Sequence, residues 1–560
     1  MQKLWWHGKV AYQIYPKSFK DSNGDGIGDI PGIISKLDYL KELGIDIIWL
    51  CPVYDSPFVD NGYDISDYKN IASVFGTMQD FDELLSKANS LGIKIIMDLV
   101  VNHCSSEHRL FRQALKDPYG PEAKYFYFVK GKNGQVPDNL RSYFGGSVWE
   151  KVPGQDDLYY LHYFAKQQPD LNWNNRELRQ KVYDMINWWL DKGIAGFRVD
   201  AIMNVAKDPN FNGLPPDDKD GMCAANKMTA KLADQAIAIL KELKKETFDR
   251  HQAFTVAEAF GLNPEIMENF VGEKACFSTI FDFTARENFE KFPGYYAYPK
   301  ADIKLYRDSN FKMQELVNKV GFVAPILENH DEPRSVSFYL DQKQQTPDGA
   351  KALATAFMFL KGIPFIYQGQ ELGMTNTHFN DISEIDDLNS KDEYKKCLNH
   401  GMTEEEALDC INRQSRDHGR TPMLWDSSLN AGFSTGKPWL KVHQDYLTLN
   451  VEKQLKDPDS TLNYYKKLIA LRKSPEFAEC FTYGDFIKGD TSDPDVICYL
   501  RKTEQLTIKV IASFKDENIA LHNENNAQIL LSSNEYNLID GNSLRIKALS
   551  AVVLKIAENN

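Results

Sequence analysis

The sequence predicts an α/β fold: eight strand–helix units closing into a barrel, a subdomain inserted after the third strand, and an all-β domain at the C-terminus. Three observations carry this prediction. A helical pattern that stops at Gly and opens into a short apolar strand recurs at 40–50, 88–100, 190–200 and 360–369. Those strands are apolar on both faces, as buried parallel strands are. From about residue 481 the texture changes to alternating strands such as 495–500, 506–511 and 551–556, the pattern of a separate β domain.

Gly is the residue of choice for a left-handed helix stop. The feeding helices are amphipathic: Ile33, Ile34, Leu37 and Leu40 make one stripe, and Val182, Met185, Ile186 and Trp189 another. Four more strands are placed at about 10–15, 253–258, 276–283 and 322–328. Eight units favour a (β/α)8 TIM barrel over an open sheet, and the first strand is not followed by the Gly-rich phosphate turn of a doubly wound fold. The barrel is expected over 1–103 and 173–480, the inserted subdomain over 104–172, a long insertion over about 370–455, and a C-terminal β-sandwich over 481–560.

Composition narrows the function. The 560 residues are 42% hydrophobic and 12% aromatic, and the net charge is −14. A chain of that length is expected to form two or three domains. An acidic balance argues against nucleic acid or an anionic membrane as partner. No run of about 18 apolar residues appears, and the first residues hold no charged leader followed by an apolar run. The eight cysteines are scattered without a CxxC pair, so reduced thiols in a cytoplasmic protein are expected.

Polar residues gather where the strands end: Asp98, Asn102 and His103; Arg198 and Asp200; Glu258; Glu328, Asn329, His330 and Asp331. In a barrel these converge on one mouth. Each alone reads as well as a cap or a structural ion pair. Four apolar strands all ending in acid or His are hard to assign to stability, because unpaired buried charge is costly. Carboxylates without a metal triad suit glycoside cleavage, where one attacks the anomeric carbon and another protonates the leaving oxygen. Arg198 is placed to keep its neighbour Asp200 ionised.

The motifs 98–103, 196–200, 256–258 and 329–331, with 168–172, 60–64 and 420–425, resemble those of the α-amylase family of glycoside hydrolases, nearest the oligo-1,6-glucosidase and dextran glucosidase branch. The resemblance covers essentially the whole chain. It implies Asp200 as nucleophile, Glu258 as general acid/base and Asp331 as transition-state stabiliser, in a retaining, exo-acting α-glucosidase. It places His103, Arg198 and His330 around the first sugar. Asp60 and Arg420 grip its far hydroxyls, and Tyr63 stacks beneath it. Phe144, Phe164 and Gln167 wall the pocket.

Residues 21–29 set Asp21, Asn23, Asp25 and Asp29 at alternate positions among glycines, the pattern of a calcium loop. The resemblance adds the Ile27 carbonyl and a structural role; magnesium is the second choice. The expected substrate is a small oligosaccharide, and the expected state a monomer or weak homo-oligomer.

Ala201, after the nucleophile, departs from the family, whose α-1,6 enzymes commonly have Val there and α-1,4 enzymes Thr. A roomier next subsite and broader linkage tolerance are expected. Glu332 is expected to border the leaving-group subsite, and Glu328 is atypical too. Sucrose isomerases share the architecture but typically carry an Arg-Leu-Asp-Arg-Asp segment where this chain has 282–288, so hydrolysis is favoured over isomerisation. A trehalose-6-phosphate hydrolase needs a basic phosphate pocket, which the sequence does not reveal. A non-catalytic transporter subunit is disfavoured, since all three acids are present and no span is.

Overall fold

In the computed structural model, residues 3–260, 264–272, 274–289, 291–491, 493–523 and 527–557 are described. The centre is a parallel sheet of seven strands: β1 (Ala11–Ile14), β2 (Ile47–Leu50), β3 (Lys94–Leu99), β4 (Gly196–Val199), β5 (Phe254–Ala257), β6 (Thr279–Ile280) and β7 (Phe365–Tyr367). Its order is β6-β5-β4-β3-β2-β1-β7. The gap between β6 and β7 is bridged by residues 323–326 through the parallel pairs Phe281 with Ala324, Val323 with Gly362, and Ile326 with Phe365. The eight segments therefore close into a barrel.

The predicted strand at 322–328 is thus a set of isolated bridges, and the one at 276–283 is a ladder only at 279–280. Pro325 interrupts the first and Pro364 flanks it on β7, and a proline cannot donate to a ladder. Inside the barrel, Trp49, Ile96, Phe254, Val256, Phe281, Ala324 and Phe365 belong to one buried cluster.

The unit that feeds β4 shows how the sequence builds the site. Helix α1 (Arg176–Lys192) is capped by the Asn175 side chain, which accepts the Leu178 N–H. It buries Val182, Met185, Ile186 and Trp189 and stops at Gly193, left-handed at φ 110°. Three residues on, Gly196 lies so close to β5 that a Cβ would sit 1.7 Å from the Phe254 carbonyl oxygen. Only glycine lets β4 pair there, and that pairing carries Arg198 and Asp200 to the mouth.

The excursion after β3 contains a three-stranded antiparallel sheet of 128–130, 158–161 and 149–151. A second excursion, which the sequence pattern did not reveal, follows β4. Its residues 223–224 pair with 140–141, and Arg141 binds Asp217 and Asp220 at 2.9 and 2.7 Å. After β7, helices α2 (Leu388–Asn399) and α3 (Glu404–Gln414) pack through Phe379, Ile385, Cys397, Ala407, Cys410 and Ile411.

At the C-terminus, a five-stranded and a three-stranded antiparallel sheet lie on a core that includes Val496, Cys498, Ile511, Leu544, Ile546 and Val552. The described cysteines are all buried and unbridged. No helix among the described residues is long and apolar enough to cross a membrane.

Candidate active site

Two charge clusters face each other across the barrel mouth. The first is built on Arg198, whose side chain is 2% exposed. Its Nη1 donates to Asp98 Oδ1 at 2.7 Å and to Asp200 Oδ1 at 2.6 Å, and its Nη2 lies 2.9 Å from Glu258 Oε2. Strand pairing dictates this grouping: Arg198 is level with Asp98 on β3 and with Val256 on β5. Trp49 Nε1 and the Tyr63 hydroxyl, each 3.0 Å away, occupy the other oxygen of Asp98.

One guanidinium thus serves three carboxylates. Burial raises the pKa of Asp98 and of Asp200 and outweighs the pull of Arg198, so the expectation that this arginine alone keeps Asp200 in the ordinary carboxylate range is not met. Burial likewise pushes Glu258 up to about 7, with Arg198 opposing and Asp200 and Asp331 adding to the rise. Glu258 Oε2 also accepts the Ala201 N–H at 2.9 Å. Both contacts fall on Oε2; among the described residues no partner takes Oε1, the oxygen left to carry a proton. Ala201 makes its bond from a left-handed backbone at φ 42°, a conformation that disfavours β-branched side chains.

The second cluster is built on Asp331. Its Oδ1 accepts from Arg416 Nη1 at 3.0 Å and from Arg420 Nη2 at 2.9 Å. Its Oδ2 lies 2.9 Å from His330 Nε2. The Gln13 amide donates to His330 Nδ1 at 2.8 Å, which keeps the ring proton on Nε2, where the Tyr63 hydroxyl lies 2.6 Å away. Burial raises the Asp331 pKa, but His330, Arg416 and Arg420 outweigh it and hold the carboxyl well below the usual range. Tyr63 stacks on His330 at 5.5 Å and 11°.

The sugar-binding candidates assemble around these clusters. His103 is buried and neutral, its pKa lowered by burial to about 3, and its Nε2 lies 3.2 Å from the Tyr63 carbonyl. Phe164 packs between His103 and Phe144 at 4.9 and 5.8 Å, and Arg416 lies over the Phe144 ring at 5.5 Å. Asp60 is buried and pushed up to about 6 by that burial, against Arg416 and Arg420.

The residue bonded to Asp60 is Gln168, at 2.9 Å, which also lies 3.1 Å from His103 Nε2. For Gln167, the described contact is its backbone carbonyl, accepting from Ser106. Glu328 forms a buried structural pair with Arg334 at 2.9 Å and accepts the Ser335 N–H. Glu332 is buried and lies near Arg286; burial raises it to about 7.

In the loop at 21–29, Asp21, Asn23 and Asp25 each accept the backbone N–H two residues on. Asp21 also takes Gly24, Gly26 and Ser434, and Asp29 takes Ser22 and Gly32. The donors are all oxygen, which suits a hard cation. Among the described residues no three His, Cys, Asp or Glu side chains converge as a metal site. Asn23 and the Ile27 carbonyl, which stand outside that set, would have to complete the shell.

The family profile described as alpha amylase, catalytic domain, matches residues 13–480. The chain belongs to the α-amylase family. It is a glycoside hydrolase of that family. It is 44% identical to a probable oligo-1,6-glucosidase of Bacillus subtilis over 92% of this chain and 91% of that one. It is 42% identical to a glucan 1,6-alpha-glucosidase of Streptococcus pneumoniae over 95% and 96%. Among solved structures it resembles the isomaltulose synthase of Protaminobacter rubrum, with TM-score 0.93 and 37% identity over the full length of both chains. It also resembles the trehalose-6-phosphate hydrolase of Bacillus licheniformis, with TM-score 0.91 and 38% identity over 99% and 100%.

Proposed function

We propose that this family member is a retaining, exo-acting α-glucosidase that releases glucose from the non-reducing end of short α-1,6-linked glucosides, with some α-1,4 and sucrose-type bonds. The observation that carries the reading is the division of charge at the mouth: one arginine among three carboxylates, opposite two arginines on one.

In this reading Asp200 attacks the anomeric carbon. Its Oδ1 is fixed by Arg198, and its position two residues after that arginine on β4 aims both at the mouth. Glu258 holds a proton near neutral pH and delivers it to the leaving oxygen. It then takes a proton from the water that hydrolyses the glucosyl ester. Asp331, kept anionic by its cations, stabilises the positive charge that develops on the sugar. His103, Arg198, His330 and Tyr63 contact that sugar. Asp60 and Arg420 close the pocket behind it, so only a chain end enters. Phe144, Phe164 and Gln167 form its wall.

Hydrolysis is favoured over isomerisation by the segment at 282–288. Its one arginine, Arg286, donates to Gln414 at 3.2 Å and sits among Phe289, Tyr298 and Phe338. The test is side-by-side product analysis on isomaltose, panose, maltose, sucrose and trehalose-6-phosphate. Glucose from isomaltose and panose at the highest kcat/KM supports the reading. Isomaltulose or trehalulose as the main sucrose product, or preference for the phosphorylated disaccharide, overturns it.

The loop at 21–29 is proposed to hold a structural calcium ion through Asp21, Asn23, Asp25, Ile27 and Asp29, with magnesium as second choice. A chelator should lower the melting temperature and calcium should restore it; an unchanged melting curve removes the ion. The buried free thiols support a cytoplasmic location, and the proposed state is a monomer or weak homo-oligomer, which sedimentation will measure.

A further inference from the structure

The acidic segment that ends at Asp387 has no part in the reading above, yet through Arg416 it meets the site. Asp331 Oδ1 accepts from two guanidiniums at once. Two cations on one oxygen repel each other, and a second anion on their far side offsets that repulsion. Asp387 is in that place. Its Oδ1 accepts from Arg416 Nε at 2.9 Å and Nη2 at 2.5 Å, and lies 3.8 Å from Arg420 Nη1. Its Oδ2 accepts from the Ser390 backbone N–H at 2.9 Å and from the Ser390 hydroxyl at 2.6 Å. One fully buried carboxylate therefore caps α2 and anchors both arginines.

We propose that Asp387 is a positioning residue: through Arg416 and Arg420 it fixes the carboxylate of Asp331 and keeps Arg416 beside Phe144 at the rim. This rests on the reading of Asp331 as the anionic stabiliser. Arg416 makes three described hydrogen bonds to carboxylates, two of them to Asp387. Without those two it keeps a single contact to Asp331, and its side chain is already 15% exposed. It would then leave the site for water, and Asp331 would lose one of its two guanidinium donors. Burial raises the Asp387 pKa, but the two arginines outweigh it and bring the carboxyl down to about 2. The anchor therefore stays charged at every pH where the enzyme would work.

The test uses Asp387→Asn, which keeps an oxygen for the Ser390 cap and removes the charge. Release of p-nitrophenol from p-nitrophenyl-α-glucoside by the wild type, and its loss in Asp200→Asn, come first. Failure there overturns the proposed function and leaves the positioning claim without its premise. With that activity in hand, Asp387→Asn should lower kcat by roughly ten- to hundredfold, the range for a displaced active-site group, with a smaller change in KM. Arg416→Gln should do the same. The double variant should lose no more than the worse single one, because the two act through one contact. Losses that multiply, or an unchanged kcat in Asp387→Asn, overturn the proposal. Should Asp387→Asn not fold, Arg416→Lys decides. An ammonium cannot bridge Asp331 and Asp387 as the planar fork does, so kcat falls about tenfold if the bridge matters and is unchanged if it is idle.

Discussion

The Arg198 cluster and the Asp331 cluster use the same residue types in opposite ratios. In the first, three carboxylates share one guanidinium, and burial raises all three acids. In the second, one carboxylate takes two guanidiniums and a histidine, and its pKa falls well below the usual range. Asp331 is the more exposed, its side chain at 31% against 14% or less for the other three acids, but loss of solvent pushes the acid up in both places, so the stoichiometry of the neighbours sets the direction of the shift. A site short of cations can exchange a proton near neutral pH; a site rich in them presents a permanent anion. In the proposed reading, acid/base work and charge stabilisation fall to opposite walls of one pocket.

The largest effect that could break this comparison is loss of the proposed nucleophile. Asp200→Asn should lower kcat by roughly 10³-fold or more, as removal of a covalent catalyst does; steady-state hydrolysis of isomaltose measures it. Glu258→Gln should cost roughly 10²–10⁴-fold on isomaltose and clearly less on a p-nitrophenyl glucoside, whose leaving group needs no proton. Equal losses on both substrates would remove Glu258 from the acid role.

Stability sharpens the contrast further. Glu258 goes from 4.5 unfolded to about 7 folded. Between those values the folded state holds a proton that the unfolded state has lost, so stability declines as pH rises through the window. Glu258→Gln escapes that decline. It should be more stable than wild type at pH 8, by up to about 3 kcal/mol, and lose the advantage below about pH 4.

Asp331 runs the other way. Its folded pKa lies below the unfolded 3.8, so its contribution is fully present above that unfolded value and is lost as pH falls toward the folded one. Asp331→Asn takes a charged partner from the buried Arg420 and the partly exposed Arg416 and should cost about 3 kcal/mol at pH 7, read from denaturant melts.

The smallest expected effect is at Ala201. Ala201→Val should raise the isomaltose-to-maltose ratio by about threefold, the order of one or two methylenes in a pocket. An unchanged ratio would sink the idea of a roomier subsite. Val must also adopt the left-handed backbone there, so a lower melting temperature should accompany it.

How far the sequence revealed these clusters depends on what the residues were attached to. Arg198, Asp200 and Glu258 end strands whose neighbours are apolar on both faces, and a charge at the end of such a strand stands out. The Gly193 stop and Gly196 fix where that strand begins. Arg416 and Asp387 lie instead in helical, charge-rich text after β7, where a carboxylate looks like a solvated helix cap. Asp387 is indeed a cap, and nothing local says that its other oxygen is buried against an arginine 29 positions away. The signal available was Arg416 itself, four residues before Arg420 and so on the same side of a helical turn.

Gln167 and Gln168 are adjacent identical side chains in a loop without periodicity, so only the structure distinguishes the one bonded to Asp60. The seventh barrel segment was legible as an apolar run, while its lack of a ladder follows from Pro325.

The central claim is that Asp200, and neither Glu258 nor Asp331, takes the sugar. The most direct test is trapping with a 5-fluoro-α-glucosyl fluoride, followed by peptide mass mapping, since the ring fluorine slows both steps while the good fluoride leaving group restores the first, so the glucosyl ester accumulates. A fluoroglucosyl mass on the peptide that contains Asp200, absent in Asp200→Asn, is the predicted result. The same mass on a peptide containing Glu258 or Asp331, or turnover that releases β-glucose first with no trapped ester, would contradict it.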